Sequence, residues 1–202
     1  MNDINIYTDG SYIKPNAGFG IYIENLTDLN LCISGPVKWS KKTNQVAELF
    51  AIYYSLIFIQ NNTNNKKINI YTDSKYCIGC LTKWYKKWNK NGWKNSKGND
   101  VENSQLIINI LNLINKWNCD INFIHVKAHS GIYQNEKADQ LANKGRLCST
   151  IKLWKEQNVM KEQNVMKEQN VMKEQNVMKE QNVMKEQNVM KEQNVMKEQN
   201  VM

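Results

Sequence analysis

Two nearly identical stretches of alternating apolar and polar residues lie in the first half of the chain. They read INIYTDGS over Ile4–Ser11 and INIYTDSK over Ile68–Lys75. In each copy the two Ile and the Thr share one side of a period-2 pattern and Asn and Tyr share the other, which predicts two β-strands. Each strand is expected to end at an aspartate, Asp9 or Asp73, on the rim of a sheet. Because Asp before Gly or Ser also starts ordinary turns, the pattern alone leaves both interpretations open.

The rest of the first 150 residues alternates between strand-like and helix-like periodicity. Period-2 segments predict five strands: Asp3–Thr8, Gly18–Glu24, Leu29–Val37, the second INIYTD segment and Asp120–Val126. Helical spacing predicts four helices: Val46–Ile57 with Thr43 or Asn44 as its cap, Ser74–Asn89, Leu106–Ile114, and Asn135–Gly145 with Asn135 as its cap. A strand, a crossover helix and a similar strand imply parallel pairing, so the two INIYTD strands are expected to be neighbours. The predicted fold class is α/β, a five-stranded mixed sheet flanked by helices.

The end of the chain is a low-complexity repeat, in which KEQNVM occurs eight times over 155–202. A period of six spreads Val and Met over every face of a helix, and in a strand it places them on opposite sides, so neither conformation gains a clean apolar face. The sequence therefore predicts a folded domain over 1–154 and a disordered or weakly helical tail over 155–202. A Met-rich docking segment is the alternative interpretation of the tail.

Charge and cysteine usage narrow the class of protein. Each repeat carries one Lys and one Glu, so the whole net charge of +8 belongs to residues 1–154, which favours a polyanionic partner such as nucleic acid. Five cysteines without a secretory leader predict a reduced intracellular protein, cytoplasmic or nuclear. Cys77 and Cys80 form a CxxC, but no second pair stands at zinc spacing. The longest apolar run is broken by Glu48, so no membrane span is predicted.

Four acidic residues are candidates for one metal site. Asp9 and Asp73 end neighbouring strands, Glu48 interrupts the crossover helix, and Asp139 lies early in the last helix. Singly, Glu48 would be a solvated helix residue and Asp139 a partner of the helix dipole. Gathered without a nearby Arg, the carboxylates would repel one another, which is unfavourable for structure but suits hard divalent cations. Oxygen ligands favour Mg²⁺ or Mn²⁺ over zinc.

Four longer motifs stand in order along the chain: YTDGS, TNQVAEL, YTDS and HVKAHSGIYQNEKADQLA. Together they resemble, in order and spacing, the signature blocks of type 1 ribonuclease H, the enzymes that cut the RNA strand of an RNA/DNA hybrid. The resemblance covers residues 1–145 and implies the ribonuclease H-like fold and an RNA/DNA hybrid as the partner. It also implies that the products of cleavage carry 5′-phosphate and 3′-hydroxyl ends. Its catalytic residues fall on the four carboxylates and on His129.

The resemblance also implies hydrolysis with two Mg²⁺ ions, which Mn²⁺ can replace. Asp9 would bridge both ions, and Asp139 would complete the ion that activates the attacking water. Glu48 and Asp73 would hold the ion that stabilises the leaving 3′ oxygen. His129 would assist proton transfer or product departure, because imidazole titrates near neutrality.

His125 and His129 also form an HxxxH pattern, which on a helix would suggest zinc. Since His125 lies on a predicted strand and His129 in a loop, zinc is not expected there. His125 is interpreted as a structural residue.

A basic and aromatic stretch follows the second INIYTD motif. Residues 74–99 contain seven Lys, three Trp and no acid. Such a run is often a solvated face, but lysines interleaved with aromatics also bind phosphates and sugars. The stretch resembles the basic protrusion of eukaryotic and many bacterial relatives, which holds the DNA strand. The predicted nucleic-acid contacts from this stretch are Tyr76, Trp84, Lys86, Lys87, Lys90 and Trp93.

Further contacts are implied by the resemblance outside this stretch. Thr43 and Asn103 would seat a DNA phosphate together with Lys41, which stands where relatives can have Arg and lacks the bidentate fork of a guanidinium. Asn44 and Gln45 would touch minor-groove edges.

Other functions remain open at the level of sequence. Integrases and transposases share the fold, but they do not explain a basic protrusion together with the HSG loop. A non-catalytic hybrid binder would be basic without needing four carboxylates. A domain of reverse-transcriptase origin is a further alternative. The expected oligomeric state is a monomer.

Overall fold

The computed structural model describes residues 3–156 apart from 25, 27–28, 64–66 and 118. In chain order the elements are β1 (Ile4–Ile13), β2 (Asn16–Glu24), β3 (Asn30–Pro36), α1 (Asn44–Asn62), β4 (Lys67–Thr72), α2 (Lys75–Ile78), a π-helical segment (Gly79–Trp84), α3 (Tyr85–Lys90), α4 (Ser104–Lys116), β5 (Asp120–His125), α5 (Tyr133–Gly145) and β6 (Lys152–Glu156). The repeat beyond Glu156 lies outside the described residues, so both interpretations of the tail stay predictions.

One mixed sheet runs through the domain in the order β5-β4-β1-β2-β3-β6. Strands β1, β4 and β5 are parallel, and the remaining neighbours are antiparallel. The two INIYTD segments pair in register, from Ile4 opposite Ile68 to Tyr7 opposite Tyr71. The predicted parallel pairing of these segments, and with it the α/β fold class, is confirmed.

Strand β6 corrects the predicted number of five strands to six within the described residues. It pairs antiparallel with β3, from Ser34 opposite Lys152 to Asn30 opposite Glu156. Its sequence KLWKE is short and charged, so periodicity gave no sign of a strand. It also extends two residues past the boundary predicted at 154, because Lys155 and Glu156 of the first repeat belong to it.

Helices cover the two faces of the sheet, as the alternation of β1 requires. Ile4 and Ile6 are buried with α1, and α4 packs on α1 from outside. Tyr7, on the opposite side of β1, is buried with Ala138 and Leu141 of α5. The core therefore has two layers, one on each side of the strands that carry the INIYTD motifs.

Strand β1 does not end at Asp9, contrary to the prediction. Its antiparallel pairing with β2 continues to Ile13 opposite Asn16. The residues after Asp9 lack an apolar alternation, and the neighbouring strand holds them in β conformation. The parallel pairing with β4 does stop at Tyr7, so Asp9 lies just past the β1–β4 ladder.

Two of the predicted helix starts can be compared with the structure. Thr43 caps α1 as predicted, since its Oγ1 accepts a hydrogen bond from the Val46 N–H at 3.2 Å. Asn135 is not the cap of α5, because the helix begins at Tyr133 and Asn135 is buried in its first turn. Within the described ranges, no helix is both long and apolar enough to cross a membrane.

Candidate active site

Three carboxylates converge where the β1–β4 ladder stops. One oxygen from each of Asp9, Glu48 and Asp73 lies within 4.8 Å of the other two. A glycine makes this approach possible, because a Cβ on Gly10 would lie 2.2 Å from the backbone nitrogen of Glu48. The start of α1 therefore packs directly against the backbone of β1, and Glu48 reaches Asp9 from the α1 face of the sheet.

Asp139 approaches the cluster from the opposite face of the sheet. Gly20 stands opposite Asp9 in the β1–β2 pairing, and a Cβ there would lie 2.1 Å from the Ala138 carbonyl oxygen. This close packing of α5 places Asp139 on the wall of the same cavity, whose volume is about 160 Å³. The structure thus gathers three of the predicted ligands tightly and puts the fourth beside them.

Burial and mutual repulsion raise the pKa values of the clustered acids. The pKa of Asp9 rises from 3.8 to about 8, first through burial and then through the charges of Asp73 and Asp139. The pKa of Glu48 rises well above its ordinary value through burial and the charges of Asp9 and Asp73. The pKa of Asp73 also rises, mainly through burial. Ionising the whole cluster without a counter-charge is therefore unfavourable.

The loop between β5 and α5 brings a histidine to the cavity. His129 lines the cavity with a left-handed backbone (φ 51°), and Gly131 follows with φ 78°. The Gly131 N–H donates to Glu136 Oε1 at 3.0 Å, which attaches the loop to the first turn of α5. The charge of His129 lowers the pKa of Asp73 and so opposes the effect of burial.

His125 keeps its structural role only as a prediction. It is exposed at the end of β5, opposite Thr72 in the β4–β5 pairing. Its charge also lowers the pKa of Asp73. The strand assignment of His125 and the loop assignment of His129 are both confirmed.

The cavity contains residues that the sequence reasoning assigned elsewhere or overlooked. Asn135 and Glu136 line it, and Asn44, predicted only as a nucleic-acid contact, lines it as well. The Oδ1 atom of Asn135 is buried and has no hydrogen-bond partner in the described part of the chain. The sequence did indicate that Asn135 could line the cavity, because it stands one helical turn before Asp139 and so shares one face of α5 with it.

The basic stretch forms α2, the π-helical segment and α3 with an aromatic row along it. Ring centroids are 6.2 Å apart for Tyr76 and Trp84, 6.0 Å for Trp84 and Trp88, and 6.1 Å for Trp88 and Trp93. Trp84 packs on Gly79, yet 44% of it is exposed. Trp93 packs against the core and is partly buried.

Three of the predicted lysines are exposed on α3. Lys86, Lys87 and Lys90 make no ion pair with any described residue, whereas Lys94 pairs with Asp100 at 2.6 Å. The α3 lysines therefore keep their charge available at the surface.

The predicted phosphate-binding residues are engaged with protein partners. Lys41 pairs with Glu102 at 3.3 Å, with both side chains exposed. Asn103, with a left-handed backbone, donates to the Tyr76 hydroxyl at 3.0 Å. Thr43 uses its hydroxyl oxygen as the cap of α1, and Gln45 is exposed in the first turn of that helix.

The sequence and fold both match a known family. A family model described as RNase H matches residues 1–147. The chain belongs to the RNase H family. The matched region includes the four carboxylates, the histidine loop and the basic stretch.

Relatives within the RNase H family come from eukaryotes and bacteria. The chain is 37% identical over 145 residues to Ribonuclease H1 of Homo sapiens, covering 69% of this chain and 49% of the relative. It is also 37% identical over 145 residues to Ribonuclease H of Francisella philomiragia, covering 71% of this chain and 90% of that relative. The chain thus spans about half the length of the human relative and most of the bacterial one.

Solved RNase H structures share the fold. The crystal structure of LC9-RNase H1, a type 1 RNase H with the type 2 active-site motif, aligns with a TM-score of 0.64 and 21% identity over 76% of this chain and 77% of that one. The solution structure of the PFV RNase H domain aligns with a TM-score of 0.57 and 26% identity over 72% of this chain and 94% of that one.

The residues of this RNase H chain fit a hard divalent cation. The Oε2 atom of Glu48 is buried and has no hydrogen-bond partner among the described residues. A cation would satisfy that oxygen and also offset the burial and the repulsion that together raise the pKa of Asp9. The donors of the cluster are all carboxylate oxygens, which is the ligand set that Mg²⁺ and Mn²⁺ prefer.

Proposed function

We propose that this chain is an endonuclease that hydrolyses the RNA strand of RNA/DNA hybrids and leaves 5′-phosphate and 3′-hydroxyl ends. One observation carries the proposal. Three carboxylates with oxygens within 4.8 Å of one another line a cavity that also contains Asp139 and His129, in a chain of the RNase H family.

The four carboxylates would hold two Mg²⁺ ions. When bound, such ions would supply an activated water and stabilise the charge that develops on the leaving 3′ oxygen. Asp9 lies between Glu48 on one face of the sheet and Asp139 on the other, so it is the residue suited to bridge two ions. Glu48 and Asp73 would serve one ion, and Asp139 would complete the other.

His129 would handle protons at the edge of the cavity. Its exposed position lets it exchange protons with solvent, and imidazole is the side chain that most often acts as a general acid or base. It would therefore receive or return a proton during cleavage, or help the product to leave.

The lysines of α3 and the row of aromatic rings would hold the DNA strand. Exposed lysines attract phosphates, and an exposed indole such as that of Trp84 offers a face on which a sugar or base can pack. Lys41 would exchange its exposed Glu102 partner for a DNA phosphate, since an exposed ion pair is worth about 0–1 kcal/mol.

A cleavage assay with three duplexes tests the proposal. Labelled RNA/DNA hybrid, double-stranded RNA and double-stranded DNA are each incubated with Mg²⁺ and with EDTA. We expect cleavage of the RNA strand of the hybrid only, with Mg²⁺ only. The matched control is Glu48→Gln, which keeps the shape of a buried side chain but removes its charge; we expect it to lose about 10³-fold or more in rate.

The other outcomes each favour a different function. Binding of the hybrid without any product would favour a non-catalytic hybrid binder. Cleavage of double-stranded DNA would favour an integrase-like activity. Equal cleavage by wild type and Glu48→Gln would show that the carboxylate cluster is not the active site.

A further inference from the structure

A chain of hydrogen bonds leads from a cation to Asp139. Arg146 Nε donates to Ser11 Oγ at 3.2 Å, and the Ser11 hydroxyl donates to Asn143 Oδ1 at 2.7 Å. Asn143 Nδ2 in turn donates to Asp139 Oδ1 at 2.9 Å. All members are partly buried, so water competes only weakly for these bonds.

The direction of this chain follows from what each group can donate. A guanidinium has donors and no acceptor, so Ser11 must accept from Arg146 and turn its single proton to Asn143. That proton requires the amide oxygen of Asn143, which leaves the amide nitrogen for Asp139. Arg146 thereby selects one of the two orientations of the Asn143 amide, the one that donates to the carboxylate.

The members come from the two elements that carry Asp9 and Asp139. Ser11 lies two residues after Asp9 on β1, so both side chains point to the same face of the sheet. Asn143 lies one turn after Asp139 on α5, and Arg146 directly follows that helix. The hydrogen bonds therefore fix the Asp139 carboxylate relative to the strand that carries Asp9.

We propose that Arg146, Ser11 and Asn143 are positioning residues that orient the Asp139 carboxylate for a divalent cation. Asn143 binds Oδ1 of Asp139, which lines the cavity, and does not engage Oδ2. Asp139 depends on such support because it is outside the tight group of three carboxylates. The effect on cleavage rests on the proposed function, whereas the effect on cation binding does not.

Cation titration without nucleic acid tests this directly. Heats of binding are measured for Mg²⁺ with wild type, Asn143→Ala, Ser11→Ala and Arg146→Met. We expect each variant to bind more weakly, by about tenfold for Asn143→Ala, as for partners of metal ligands in other proteins. Ser11→Thr keeps the hydroxyl and should restore affinity. Lys144→Met removes a neighbouring exposed cation that makes no bond to Ser11, and it should bind like wild type.

The pattern among variants separates positioning from simple bracing of β1 against α5. If the residues position Asp139, the double variant Ser11→Ala with Asn143→Ala will bind Mg²⁺ as strongly as Asn143→Ala alone. Both substitutions break the same chain of hydrogen bonds, so their effects do not add. On hybrid, kcat should fall while KM stays near the wild-type value.

Lower melting temperatures with unchanged Mg²⁺ affinity would overturn the inference. The three residues would then only stabilise the packing of β1 against α5. Failure of the wild type to bind Mg²⁺ would overturn it as well. If wild type binds Mg²⁺ but cleaves no hybrid, the proposed function fails while the titrations still decide the positioning role.

Discussion

Asp9 is held in surroundings that oppose its own charge. It is 9% exposed, and this burial, together with the charges of Asp73 and Asp139, raises its pKa to about 8. The Gly10 N–H donates to its Oδ1 at 2.8 Å, which offsets a small part of that penalty. The residue that we propose as the bridge between two cations is therefore also a source of instability when no cation is bound.

The substitution Asp9→Asn should abolish cleavage and stabilise the metal-free protein. Asn keeps an oxygen for the Gly10 N–H and carries no charge, so we expect a gain of about 1–3 kcal/mol at pH 8. The folded pKa of about 8 exceeds the ordinary 3.8, so Asp9 does not destabilise the wild type below pH 4, and its destabilising effect grows as pH rises to 8. The gain should accordingly shrink between pH 8 and pH 4. Thermal melts in EDTA across this range measure it.

Mg²⁺ provides the control for this experiment. It should raise the melting temperature of wild type more than that of Asp9→Asn, because it binds the intact cluster better. A variant that stays active would contradict the two-ion mechanism. An inactive variant with lower metal-free stability would instead make Asp9 a structural residue.

At the scale of elements, α3 presents lysines that form no ion pair with the described residues. Replacing Lys86, Lys87 and Lys90 by Ala should weaken hybrid binding and flatten its dependence on salt, by about one unit of log–log slope per lost phosphate contact. Turnover at saturating hybrid should change little, because α3 contributes no residue to the carboxylate cavity.

Binding measured across a salt series checks the role of α3, with Lys152→Ala as a control because Lys152 is an exposed lysine of β6, outside the basic stretch. An unchanged slope in the triple variant would mean that the α3 lysines are only a solvated face.

Some elements were predictable from sequence because their pattern is local. The alternation of the two INIYTD segments predicted β1, β4 and their pairing. Thr43 stands where a helix cap is needed, which predicted the start of α1. The extension of β1 past Asp9 depends on β2, which no local pattern records. The π-helical segment depends on Trp84 packing over Gly79, a contact that helical periodicity does not express.

At the scale of the whole molecule, the site joins residues far apart in sequence. The carboxylates were predictable because motifs with a known order carry them. Ser11 and Asn143 are 132 residues apart and meet only when α5 packs on the sheet, so the support of Asp139 was not visible in the sequence. The exposed position of His125 likewise depends on where β5 ends.

The first repeat unit should contribute to stability while the rest of the repeat should not affect catalysis. Glu156 accepts hydrogen bonds from Lys137 and Tyr133 of α5, so a chain ending at Trp154 loses a partly buried ion pair and part of β6. We expect its melting temperature to fall by about 2–8 °C, for a loss of about 1–2 kcal/mol. A chain ending at Met160 keeps Lys155 and Glu156, and its domain should have the same melting temperature as in the full-length protein.

Both shortened chains should cleave hybrid at close to the full-length rate at 25 °C. A loss of tenfold or more in kcat/KM, equal to ~1.4 kcal/mol of transition-state stabilisation, would mean that the tail takes part in the reaction. Equal melting temperatures for the two shortened chains would show that Lys155 and Glu156 add nothing to the domain.

The place where β6 ends has a consequence for inheritance. Because all eight units have the same sequence, loss or gain of whole units leaves Lys and Glu directly after Trp154 as long as one unit remains. Copying errors that slip by one unit would therefore change the length of the protein without changing any residue that β6 uses. Alleles with one unit or with many would encode the same folded domain, and selection on the domain would act only against loss of every unit.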